Sequence, residues 1–195
     1  MHKLLKSLIL LLIPILSLKA QNKVTEYLNI PGPITIDSKT YHLAWSSHPN
    51  DSYYKQEYLT SNDNIEKYKT LIMIDFVKGN FKPEDAVNQK VSELEKMKQS
   101  NPVINYTTYE NNGEYILDFI ISKNSDDGKE MLIVERNVYR YKLISDKNNT
   151  GILLFGVSER GYQEDIDAFF KNLQENSTKM IEAVGNYQLP EIKVK

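Results

Sequence analysis

Two aspartates interrupt apolar strand sequences, in Ile74-Asp75-Phe76 and in Leu117-Asp118-Phe119. A carboxylate inside a sheet is costly unless it is paired or hydrogen-bonded. Asp75 and Asp118 facing one cavity would make an acid–base pair or a cation site. That arrangement predicts a small-ligand or cation-binding protein, with hydrolysis as its enzymatic form. Two plainer arrangements compete: each aspartate faces solvent, or each pairs with Arg136, Arg140 or Lys142 on a basic strand.

A second set of residues suits recognition. Tyr53, Tyr54 and Tyr58 lie together beside the strand of the only tryptophan, and Arg136 and Arg140 interleave with Tyr139 and Tyr141. Such mixtures mark surfaces that bind proteins, sugars or anions. They also simply fill strand faces or a solvated sheet edge.

Other chemistries are excluded residue by residue. The chain has no cysteine, which removes disulfides, thiolate zinc sites and cysteine nucleophiles. His42 and His48 share one strand face, but six residues of extended chain separate them by about 20 Å, too far to share a metal. Asp126-Asp127-Gly128 and Asp146 to Gly151 resemble calcium loops. With Gly128 or Gly151 in the sixth position, however, Val134 or Val157 stands where a bidentate glutamate belongs, so both are turns. No nucleophile elbow, phosphate-binding glycine loop, dinucleotide fingerprint or zinc-protease helix is present. The residues therefore assign no catalytic group, cofactor or metal.

The first twenty residues read as a signal peptide. Lys3 and Lys6 precede the apolar run Leu8 to Leu18, and the small residue Ala20 stands before Gln21 at the expected cleavage point. A run of about 11 residues suits a signal and falls short of the roughly 20 that a spanning helix needs. No cysteine follows for lipid attachment, so no stable membrane anchor is expected after cleavage. Three of the 24 basic residues and none of the 26 acidic ones lie before residue 21, which leaves 21 against 26, net −5. A nucleic-acid partner is not expected from an acidic exported protein. Export without cysteine fits the periplasm or exterior of a bacterium.

The elements that must position these groups follow from periodicity and turn chemistry. Residues 21–33 form a polar lead ending in Pro31-Gly32-Pro33, residues 34–189 one domain, and residues 190–195 a tail. Strands are expected at Ile34 to Ile36, Tyr41 to Ser47, Tyr53 to Leu59 and Leu71 to Val77. In the second, Tyr41, Leu43 and Trp45 should share a face. A long helix starts at Pro83, with Glu84 and Asp85 in its first turn and an apolar stripe through Val87, Val91 and Leu94. Four more strands, Val103 to Tyr109, Tyr115 to Ser122, Met131 to Ile144 and Ile152 to Ser158, are joined by Asn-, Asp- and Gly-rich turns into an antiparallel meander. A second long helix, about Asp165 to Val184, has a possible bend at Asn176-Ser177 and is closed by Gly185 in a left-handed C′ position. The class expected is α+β, a mainly antiparallel sheet with one long helix on each face.

This order of elements resembles the Mog1/PsbP-like fold over residues 34–189, with Leu71 to Val77 followed by the Pro83 helix as its best local match. The resemblance implies an α/β/α sandwich and an accessory role, because its characterised members are a transport factor that binds a small GTPase and photosystem-associated lumenal proteins. It transfers no functional residue. The expectation is an exported, non-enzymatic accessory or binding module with an envelope or extracellular protein as partner; the Asp75–Asp118 pocket is the alternative.

Overall fold

The computed structural model describes residues 24–145 and 149–194. The expected signal peptide, with Ala20 and Gln21 at its cleavage point, lies outside the described residues.

Among the described residues eight strands are present: β1 (Ile34–Ile36), β2 (Lys39–Asn50), β3 (Tyr53–Leu59), β4 (Thr70–Lys78), β5 (Asn105–Asn111), β6 (Glu114–Asn124), β7 (Met131–Ser145) and β8 (Thr150–Tyr162). They form one antiparallel sheet in the order β1-β2-β3-β4-β8-β7-β6-β5. Two meanders are thus joined edge to edge through β4 and β8. The β5–β6 hairpin turns at Asn112 and Gly113, both at positive φ (53° and 76°), the geometry that matches the twist of the flanking strands. Central β4 needs its apolar run because it is covered on both sides: Ile72, Ile74 and Phe76 enter one core, Leu71 and Met73 another.

Helix α1 (Pro83–Lys98) follows β4. Its first turn holds Pro83, Glu84 and Asp85 and its last turn Lys96 and Lys98, which complements the macrodipole at both ends. Val87 and Leu94 are buried against Leu117, Phe119, Tyr141 and Ile152 of the sheet.

The expected sheet between two long helices, an α/β/α sandwich of Mog1/PsbP-like type, is not what the chain forms. The architecture is a single eight-stranded antiparallel sheet with three short helices. The C-terminal segment divides into a 3-10 turn at Gln163–Asp165, α2 (Ile166–Glu175) and α3 (Ser177–Asn186). Asn176 (φ −128°, ψ 30°) makes the break; its N–H closes α2 on the Asn172 carbonyl at 2.9 Å and its own carbonyl accepts from Lys179 at 3.3 Å. Asn and Ser compete with the backbone for hydrogen bonds, so two in succession end a helix that periodicity alone would continue. Gly185 does not cap. It lies inside α3, which ends at Tyr187 in an extended conformation. A Cβ on Gly185 would stand 3.2 Å from Ile116 Cδ1, so glycine there permits close approach of α3 to β6.

A bulge between Leu43 and Trp45 alters β2 as well. Leu43 faces Tyr58, whereas Trp45 faces Glu57, so Trp45 leaves the face of Tyr41 and Leu43. Residues on both sides of the expected domain also enter the core: Leu28, Ile30 and Ile192 are buried with Tyr58 and Val184. Gln56, fully buried, accepts from the Tyr27 and Leu28 amides (2.7 and 3.1 Å) and donates to the Ile30 carbonyl and the Tyr58 hydroxyl (3.3 and 2.6 Å). No helix among the described residues is long and apolar enough to cross a membrane.

Candidate functional site

Strand register decides which residues meet. Lys55, Asp75, Leu154, Tyr141 and Tyr115 face one another in turn across β3, β4, β8, β7 and β6. Tyr58, Ile72, Val157, Val138 and Asp118 form the corresponding row on the other side, among residues buried with Val184 of α3. Asp75 therefore lies on the face that α1 covers and Asp118 on the opposite face. They share no pocket, which removes the two-carboxylate arrangement.

Asp118 is satisfied where it stands. Arg136 grips it with Nε and Nη2 at 2.9 and 2.8 Å and also donates to the Ser177 carbonyl. Arg136 is almost fully buried, so the pair fastens the start of α3 to the sheet. Arg140 repeats the device two pleat repeats further on: it meets Glu114 at 2.6 Å and donates to the Tyr187 carbonyl at 2.9 Å. Hydrogen bonds from Lys142 and Arg140 hold the Glu114 carboxyl below its usual range, against the opposing effect of its burial. Tyr54 and Tyr58 are buried in the core on this same side. Of the aromatic and basic residues that suggested a recognition surface, Tyr53, Tyr139 and Tyr141 lie on the α1 face. The Arg–Tyr alternation of β7 is sorted by the pleat, guanidiniums to one side and phenols to the other.

Beside α1, over β3, β4 and β8, lies a groove of about 700 Å³. Asp75, Tyr53, Tyr139 and Tyr141 are part of its polar lining, with charged side chains of β3 and of α1 and its approach also present, and Leu154, Ile152, Val77 and Phe81 are part of its apolar lining. Tyr53 donates to Asp75 Oδ2 at 2.7 Å. Asp75 Oδ1 is buried and has no hydrogen-bond partner. Burial is the dominant influence on this carboxyl and pushes its pKa up to about 6; the Tyr53 bond and the nearby Lys55 pull the other way. Tyr53, Tyr139 and Tyr141 are raised, first by burial and further by the Asp75 charge. Asp75 is bonded to a phenol, and the residue lies in the lining of the groove. Tyr139 and Tyr141 were visible in the sequence only as part of the Arg–Tyr alternation; Phe81 and Leu154 had no signal of their own.

The histidines do not meet at a site. His48 stacks on Tyr54 with ring centroids 4.0 Å apart, and its Nδ1 lies 3.0 Å from the Tyr53 carbonyl, whereas His42 faces Leu59. Among the described residues, no group of three His, Asp or Glu side chains could hold a metal ion.

Fold and site together define an antiparallel-sheet protein with a helix-edged groove of ligand size. A protein-family model matches residues 28–189, most of the chain, and the protein belongs to that family, which is uncharacterised in function. No curated protein and no solved structure matches the chain.

Proposed function

We propose that this is an exported binding protein that takes a small molecule in the groove between α1 and the sheet. The observation that carries the reading is Asp75: a carboxylate with one oxygen held by Tyr53 and the other buried without a partner, on the wall of a groove of ligand size. An unsatisfied buried acceptor costs about 1–3 kcal/mol, and Asp75 carries that cost at the groove lining. A volume of this order is typical of small-molecule sites, as is a mainly apolar lining with a few placed polar groups. Export is supported by Lys3, Lys6 and the Leu8 to Leu18 run before Ala20.

The test is a fragment screen followed by amide and aromatic chemical-shift mapping on the protein. Ligands should shift Phe81, Tyr139, Tyr141 and Leu154 together. Hits scattered over the opposite face, with this group unmoved, would count against the reading.

A further inference from the structure

We infer that the ligand class of this groove is an organic ammonium ion, a protonated amine carried on an apolar body. The inference rests on reading the groove as a ligand site and adds the chemistry of its occupant.

The argument begins with charge. Lys55 is tied to Glu57 at 2.8 Å and Lys90 to Glu93 at 3.1 Å. Lys82 and Asp85 stand exposed where α1 begins, at the rim. Asp75 is thus the buried charge of the groove that no cation in the lining contacts within ion-pair distance. An anionic ligand would meet its field, and a neutral hydroxyl would offer it only an ordinary hydrogen bond. An ammonium offers a charge-assisted one, about twice as strong.

The surroundings suit the rest of such an ion. Tyr53, Tyr139 and Tyr141 place phenol rings and hydroxyls beside the carboxylate, and cations are attracted to aromatic faces. Leu154, Val77 and Phe81 provide an apolar wall for the body of the ligand; Phe81 is 48% exposed. A metal ion fits poorly, since the lining presents one buried carboxylate and phenols in place of a set of hard oxygen ligands.

Isothermal titration of the full chain with three probes of similar shape tests the class: 2-phenylethylammonium, 2-phenylethanol and 3-phenylpropionate. At about pH 8, where Asp75 is ionised, the ammonium should bind about tenfold or more tighter than the alcohol. The carboxylate probe should bind weakest. The advantage of the ammonium should close towards about pH 5, where Asp75 takes up its own proton and the amine remains charged. Asp75→Asn should remove it at the higher pH; should that variant not fold, the wild-type pH series carries the test alone. Equal affinity for ammonium and alcohol at the higher pH overturns the ligand class and leaves the groove a ligand site. Failure of all three probes to bind overturns both.

Discussion

Tyr53 donates its phenolic proton to Asp75 Oδ2 across 2.7 Å, diagonally between neighbouring strands, because the residue that directly faces Asp75 is Lys55. The bond satisfies half of the carboxylate and shapes the groove wall. It does not overcome desolvation, so the carboxyl holds its proton up to about pH 6. An acid poised there, with one free oxygen, is the feature from which the functional reading grows.

Asp75 should make the protein less stable as pH rises. Its folded-state pKa of about 6 lies above the ordinary value of 3.8. Below the ordinary value both states hold the proton and the cost vanishes; above the folded value the cost is fully present. Asp75→Asn should therefore stabilise the protein by about 1–3 kcal/mol near pH 8 and by almost nothing near pH 4. Urea denaturation at the two pH values measures this, and an equal effect at both would contradict it.

The Asp118–Arg136 pair should stabilise the fold. Arg136→Ala leaves a carboxylate without its cation and frees the Ser177 carbonyl, at a cost of about 3–5 kcal/mol. Arg136→Met with Asp118→Leu should lose much less, because no unpaired charge remains. The comparison is made by urea denaturation of the single and double variants.

Gln56 should hold residues 24–33 in place. Gln56→Ala removes the acceptor of two amides and the donor to the Ile30 carbonyl, so the Tyr27 and Leu28 amides should exchange with deuterium far faster than in the wild type. Global stability should fall by about 2–4 kcal/mol. Unchanged exchange at these two amides would show that the packing of Leu28 and Ile30 suffices.

Gly156 should be required beneath Tyr139. A Cβ there would lie 2.8 and 2.9 Å from two carbons of that ring, so Gly156→Ala must displace Tyr139 and with it one side of the groove. A loss of about 1–3 kcal/mol is expected, together with a weakening of any groove ligand, read by denaturation and titration.

Export should leave a product that begins at Gln21. Replacing Leu11 and Leu12 of the apolar run by Asp should abolish it. N-terminal sequencing of protein recovered outside the cytoplasm checks both; a retained leader would overturn the proposal.

Much of the local structure was legible because it depends on neighbours in the chain. β3 runs from Tyr53 to Leu59, and α1 starts at Pro83, where alternation and end signals place them. The second helix is expected as one long element with a bend at Asn176-Ser177, where Asn and Ser weaken the apolar stripe; the backbone instead divides there into two helices. Within one strand, too, the pleat already says that Asp75 points away from Ile74 and Phe76. A bulge breaks that rule at Trp45, and nothing in the alternation of β2 announces it.

What the sequence determined by itself was the inventory: strands and turns by period and by Asn and Gly, and two aspartates out of place in apolar surroundings. What only the tertiary structure decided was their relation. Asp75 and Asp118 are separated by β8 and β7, and the registers of three strand pairs place them on opposite faces. Each register is fixed by contacts between residues distant in the chain, and a slip of one residue would reverse a whole face. The partner of Asp118, the isolation of Asp75 Oδ1 and the groove beside α1 all follow from that non-local pairing.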